Sequence, residues 1–253
     1  MIDIHAHFAE EGYDLEAEWE KIKAAGVDTV VLASDTLEHA RMHRDFALLH
    51  DGCYFTVGIH PESARLGMYD GIFEGYLELG CEEKCVAVGE IGLDYHYEGF
   101  DKKTQRELFV RQVMLATELG LPLQIHSRDA CADTLEILRD ARQLLKRGFL
   151  MHCYSYGAEN LDAFLELGAY FSFGGVTCFK NARRAVEAVA VCPVERILSE
   201  TDSPYLSPFR GEKNSPSNIP VIVNKLAEIK RIPASDMDAA IRKNAARLFP
   251  KLK

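Results

Sequence analysis

The chain has 253 residues, 47% of them apolar and 27% charged, and a formal net charge of −10. Those proportions suit one large globular domain over residues 1–253, and they exclude a disordered polymer. They also disfavour tight, sequence-independent binding to long duplex nucleic acid, although bound divalent ions would keep a nuclease site locally positive.

Short β-branched, apolar runs alternate with segments of 3.6-residue periodicity. Strands are expected over Ile2–His7, Thr29–Ala33, Tyr54–Gly58, Val86–Glu90, Pro122–His126, Phe149–His152, Tyr170–Phe173 and Arg196–Glu200. Helices are expected between them, over Leu15–Ala25, Leu37–His50, Gly71–Leu79, Lys102–Leu119, Ala130–Lys146, Glu159–Leu167 and Ala182–Val191. Gly26, Gly120 and Gly168 stand where a left-handed residue would stop a helix. A Pro-, Ser- and Gly-rich stretch, Ser203–Pro220, follows the eighth strand. Helices near Val221–Lys230 and Ala234–Leu248 close the chain, with Ser235, Asp236 and Asp238 read as the start of the last one.

Eight strands alternating with helices predict an α/β fold, a (β/α)8 TIM barrel. An open doubly wound sheet would show a Gly-rich turn after its first strand, and none is present. Phosphate-loop and Gly-x-Ser-x-Gly motifs are also missing. No apolar run approaches the roughly 20 residues that cross a bilayer. The opening residues lack the basic and apolar regions of a secretory signal, so a cytoplasmic location is expected. Seven cysteines without a Cys-x-x-Cys pair read as reduced thiols.

The polar residues at the strand ends are the informative ones. His5 and His7 are two apart, so a strand presents both on one side. Glu90, His126 and His152 close the fourth, fifth and sixth predicted strands, and Asp202 lies just past the eighth. A barrel gathers these C-terminal ends at one rim, where barrel active sites are built. Any one of these histidines is more simply a satisfied polar residue. Six such groups converging without a cation would cost heavily in desolvation, so a metal centre is expected.

Other histidines read differently. His39 and His43, four apart on a helix, are expected on a solvated face, and His50 near the end of that helix favours its dipole. His60 and His96 fall on rim loops, where each is expected either to contact substrate or support ligands, or to stand as a surface loop histidine. Cys153 is expected to face away from His152 and to pack.

The strings Asp3-Ile4-His5-Ala6-His7, Gly58-Ile59-His60-Pro61, Gly89-Glu90-Ile91-Gly92-Leu93-Asp94-Tyr95-His96 and Ile125-His126-Ser127-Arg128-Asp129-Ala130 form a series. It continues through His152-Cys153-Tyr154-Ser155, Glu200-Thr201-Asp202-Ser203-Pro204-Tyr205-Leu206 and Asn244-Ala245-Ala246-Arg247-Leu248-Phe249. Nearly end to end, the chain resembles the TatD-like metal-dependent hydrolases, a branch of the amidohydrolase superfamily. The resemblance implies one divalent ion held by His5, His7, Glu90 and Asp202. It implies a second held by Glu90, His126 and His152, with Glu90 bridging; the ions would be Mg, Mn or Zn. Three departures fall on substrate loops: Tyr156, Glu212 and Ser215 replace the Gly, Lys and Glu usual in that family.

The activity implied is a deoxyribonuclease of the 3′ exonuclease type, cleaving phosphodiester bonds at single-stranded DNA ends with a metal-activated water. Asp202 would orient that water and accept its proton, with Glu90 beside it. Substrate contacts are expected from His60, Asp94, Tyr95, Arg128, Lys180 and Tyr205, with Arg210 and Lys213 on the long loop. Tyr95, Tyr154, Tyr156 and Tyr205 could stack on bases or cap the barrel. Hydrolysis of a small-molecule amide, ester or lactone is the competing reading. A non-catalytic barrel is disfavoured because every ligand position is filled. A monomer is the expected state.

Overall fold

The computed structural model describes residues 1–7, 14–64, 72–99 and 101–252. Its strands are β1 (Ile2–Ala6), β2 (Thr29–Leu32), β3 (Cys53–Val57), β4 (Cys85–Asp94), β5 (Leu123–Arg128), β6 (Phe149–Met151), β7 (Ala169–Phe173) and β8 (Ile197–Ser199). Each pairs in parallel with the next in chain order. The helices between them are α1 (Leu15–Ala24), α2 (Leu37–Leu49), α3 (Ile72–Gly80), α4 (Lys102–Leu119), α5 (Cys131–Asp140), α6 (Leu161–Leu165) and α7 (Arg183–Val191); α8 (Ile219–Lys230) and α9 (Ala234–Leu248) follow. This is the expected (β/α)8 barrel.

A parallel strand is covered on both faces, which is why these runs are almost continuously apolar and almost wholly buried. The ring is drawn together where its ends meet. Ser199 donates its hydroxyl to the Ile2 carbonyl at 2.7 Å. Just beyond, the Asp202 amide donates to His5 O at 3.0 Å and the His7 amide to Ser203 O at 2.7 Å. His5 and Asp202, the first and last of the expected ligands, are thereby tied to each other by backbone.

Gly26, Gly120 and Gly168 take φ values of 81°, 64° and 92° after α1, α4 and α6, as the stop signals imply. Several boundaries differ from the sequence reading. β4 runs on to Asp94, so Glu90 lies within it, and its register against β5 shifts between Val88 and Ile91. β6 stops at Met151, one residue before His152. The fifth helix ends at Asp140, with a tight turn over Arg142–Leu144, because its buried apolar face ends at Leu138 and Leu144 is exposed. α9 begins at Ala234 behind Pro233, and Ser235 does not cap it. Gly71, expected to open the third helix, lies outside the described residues. Among the described residues no helix is long and apolar enough to cross a membrane, and all seven cysteines are free.

Candidate metal centre at the barrel mouth

His5 sits in β1, Glu90 in β4 and His126 in β5. His7, His152 and Asp202 stand just past the ends of β1, β6 and β8. All six face one mouth. Glu90 Oε2 lies 3.2 Å from His5 Nε2 and 3.3 Å from His7 Nε2. Glu90 Oε1 lies 2.9 Å from His126 Nδ1 and 2.8 Å from His152 Nε2. Asp202 Oδ1 is 3.5 Å from His7 Nε2 and 3.7 Å from His5 Nε2. Three overlapping groups can hold an ion: His5, Glu90 and His152; His5, His7 and Asp202; and His60, Glu90 and His126. Membership of His60, 3.4 Å from Glu90 Oε1, places it closer to the metal chemistry than a rim loop suggests.

The local backbone aims these groups. Strand four changes register around Glu90, and such irregularities re-aim side chains beside active sites. Cys153 and Asp202 adopt φ values of 43° and 55°, in the left-handed region that side-chain-bearing residues rarely visit outside constrained sites. The turn at Cys153 breaks the strand alternation, so this residue lines the cleft instead of packing behind it.

The donor set fits divalent cations. His5 Nδ1 lies 2.8 Å from Gln124 Oε1, and Gln124 Nε2 donates to the Ile4 carbonyl at 2.7 Å. The amide oxygen therefore accepts, His5 Nδ1 carries hydrogen, and the Nε2 lone pair is left facing Glu90 and His7. Burial, together with the neighbouring His152, lowers the His5 pKa, so the ring stays neutral. Burial also lowers His7, but its contacts with Asp202 and Glu90 outweigh this and raise it to about 10. His152 and His126 are raised in the same way by Glu90, Glu200 and Asp94. Protons could balance the carboxylates only by crowding imidazolium rings together, with His126 Nδ1 3.2 Å from His152 Nε2. A divalent cation supplies the charge without that repulsion, and mixed imidazole and carboxylate donors suit Zn, Mn and Mg in different measure.

A buried ring of partners holds the candidate ligands in place. Asp94 Oδ2 is 2.8 Å from His126 Nε2. Fully buried Glu200 accepts the Cys153 amide at 2.6 Å and the Ser172 hydroxyl at 2.6 Å, with His152 Nδ1 3.7 Å away. Asp3, also fully buried, accepts the amides of Thr201 and His5. Burial nevertheless raises its pKa to about 8. Sequence reasoning passed over Gln124 and Glu200; a Gln inside an apolar strand and a Glu two residues before a ligand were the available signals.

A cleft of about 660 Å³ opens above the centre, within the range of small-ligand sites. Of the expected substrate contacts, His60, Asp94, Arg128 and Tyr205 line it. Tyr95 turns away, its hydroxyl donated to Asp133 at 2.7 Å. Exposed Lys180, Arg210 and Lys213 are not part of the wall. Tyr154 and Tyr156 are buried caps against Phe164 and are closed to stacking. Tyr156 also bonds Ser127 Oγ at 2.7 Å, a packing use for the bulk that replaces Gly. Tyr97, which the sequence did not single out, lines the rim beneath Arg128, whose guanidinium carbon lies 5.1 Å from the ring centre. His43 is the clearest reversal: it is 2% exposed and bonds Ser34 Oγ at 2.9 Å, whereas a solvated face was expected. His39, on the same helix, lines the cleft. His96 pairs with Asp129 at 2.9 Å on the surface. His50 bonds the Phe46 carbonyl at the end of α2, consistent with the dipole reading.

A family model described as TatD related DNase matches residues 2–250. The chain belongs to that family. Among TatD relatives, the uncharacterized metal-dependent hydrolase YabD of Bacillus subtilis is 36% identical, over 98% of both chains. The 3′-5′ ssDNA/RNA exonuclease TatD of Cronobacter turicensis is 32% identical over 91% of this chain and 90% of its own. The crystal structure of the TatD homolog YJJV from Escherichia coli superposes with a TM-score of 0.87 at 28% identity, covering 99% of this chain and 98% of that one. This chain is a metal-dependent hydrolase acting on ester bonds.

Proposed function

We propose that the chain is a 3′-to-5′ exonuclease acting on single-stranded DNA ends with two divalent ions. The observation that carries the two-ion part is Glu90, whose two oxygens face different ligand sets. Oε2 faces His5 and His7, with Asp202 beside them, and Oε1 faces His126 and His152. Ions held there would be Mg, Mn or Zn, and when bound they supply Lewis-acid polarisation and acidify water.

The protein's own groups have separate tasks. Asp202 is held as a carboxylate: burial opposes this, but His7, His152 and His5 outweigh it and pull its pKa down. It can therefore orient a water and receive its proton. Arg128, at the end of β5, offers a planar fork to a phosphate, and its position above Tyr97 holds that fork in place. Tyr97 and Tyr205, both about half exposed on the rim, offer faces on which unpaired bases can stack. Arginine is the one Lys or Arg type in the described wall, among several carboxylates. Such a wall suits the few phosphates of a strand terminus better than a long duplex.

The test compares a 3′-overhang oligonucleotide with a panel of esters and lactones, each with Mn, with Mg and after chelation. Stepwise release of mononucleotides from the 3′ end, lost on chelation, is expected. Turnover of the panel alone would overturn the exonuclease reading in favour of a small-molecule hydrolase.

A further inference from the structure

Apart from the candidate metal ligands, the cleft wall holds, among the described residues, a pair of interacting titratable side chains that no step above uses. Asp35 follows β2, and His39 lies in the first turn of α2; each side chain is about one-third exposed, at 33% and 31%. Both line the cleft, and His39 Nδ1 bonds Asp35 Oδ1. The backbone ties the pair to the next rim loop, since the His60 amide donates to the Asp35 carbonyl at 3.0 Å.

The chemistry of this pair is specific. A carboxylate only accepts, so the Nδ1 position carries the hydrogen, and in the uncharged form of the ring Nε2 is the atom that offers a lone pair. Asp35 and Glu62 both line this side of the mouth, and two carboxylates repel a phosphate. A hydroxyl brings a hydrogen without negative charge and matches a lone pair. Arg128 stands at the end of β5, three strands round the ring, where a phosphate is welcome. The cleft therefore has an acceptor side at Asp35, His39 and Glu62, and a guanidinium donor, Arg128, across from it beside Asp94.

We propose that His39, oriented by Asp35, accepts a hydrogen bond from a substrate hydroxyl, and that in a nucleic acid this is the free 3′-hydroxyl of the terminal nucleotide. The proposal rests on the exonuclease reading and gives it a basis for end polarity. The terminal sugar lies toward β2, while phosphate lies toward β5. Asp35 is a positioning residue and His39 the group that touches substrate.

The experiment measures kcat/KM of metal-loaded enzyme on two single-stranded oligonucleotides, one ending in a 3′-hydroxyl and one in a 3′-deoxy residue. Wild type is expected to lose about tenfold when the hydroxyl is removed, the scale of one hydrogen bond. His39→Leu is expected to lose about tenfold on the hydroxyl substrate and nothing further on the deoxy substrate, a non-additive cycle. Asp35→Asn, which also serves if His39→Leu does not fold, is expected to lose a few-fold on the hydroxyl substrate alone. Equal losses on both substrates would mean a structural role and overturn the proposal, as would a wild type indifferent to the hydroxyl. Those results leave the exonuclease reading standing. A wild type that cleaves neither oligonucleotide overturns both.

Discussion

A histidine presents a lone pair to a cation only when its other nitrogen is satisfied, so the residues behind the ligands decide how well the centre binds. Gln124 fixes the tautomer of His5 from within β5, more than a hundred residues away in sequence. Replacing it with Leu keeps the volume but leaves His5 Nδ1 without its acceptor. Metal affinity is expected to fall roughly 10- to 100-fold, read by competition with a chelator of known affinity; unchanged affinity would show that the tautomer is set elsewhere. His43 makes a different prediction. Burial, with His7 and His39 nearby, lowers its pKa to about 3, so the folded protein keeps it neutral while the unfolded chain protonates near 6.5. The unfolded state then binds the extra proton, and stability present above pH 6.5 is lost as pH falls toward 3. The slope from this one group approaches about 1.4 kcal/mol per pH unit. In urea titrations between pH 7 and 4, His43→Gln is expected to flatten the wild-type slope by about that amount. An equal slope in the variant would assign the acid sensitivity to other groups. The candidate ligands stood out in the sequence because they fall at or near the ends of the expected strands, although Glu90 lies well inside β4. Gln124, Glu200 and the burial of His43 were not, since each depends on what packs against it from another element.

At the scale of elements, strand four departs most from the sequence reading and matters most. The apolar run Val86–Val88 marks a strand, but the glycines at 89 and 92 look like its end. They instead let the chain pass close to its neighbours and continue to Asp94. Gly92 has φ 135°, and a Cβ there would fall on the His126 carbonyl. Gly92→Ala therefore combines backbone strain with a clash against the strand that holds a ligand. A loss of about 3 kcal/mol or more in urea denaturation is expected, together with weakened metal binding through the displaced His126. Gly26 is the internal comparison. Its φ is 81° with nothing near the would-be Cβ, so Gly26→Ala costs only the left-handed backbone, about 1 to 2 kcal/mol, and spares the metal. Equal costs at both sites would refute the close-approach argument. Helix two shows the opposite limit of periodicity: His39 and His43 share a stripe in sequence, yet one reaches the cleft and the other the interior beneath it. Spacing gives the face of a helix but not how deeply each position on it sits.

The barrel as a whole was legible because a parallel ring imposes one repeated demand, an apolar strand and then a crossover helix, on nearly the entire chain. What the repeat does not encode is how the ring shuts. Here the two ends meet through Ser199, Asp202 and His7, beside ligands drawn from both the first and last strands. A cation held at that seam would bridge parts of the chain some two hundred residues apart, and it would favour the folded state because the unfolded chain cannot assemble the set. Mass action then gives about 2.7 kcal/mol of added stability at a free metal concentration of 100 Kd. For a chain of this length each kcal/mol is worth roughly 2 to 4 °C, so restoring metal to stripped protein is expected to raise Tm by roughly 5 to 11 °C. Asp202→Ala, which removes a ligand from the seam side, should lose most of that rise. His126→Ala, on the far side of Glu90, should retain a part of it through the remaining set of His5, His7 and Asp202. Scanning calorimetry of the three proteins with and without Mn decides the matter. Identical rises in all three would mean that the ion stabilises the fold from some other place and that the seam is closed by backbone alone.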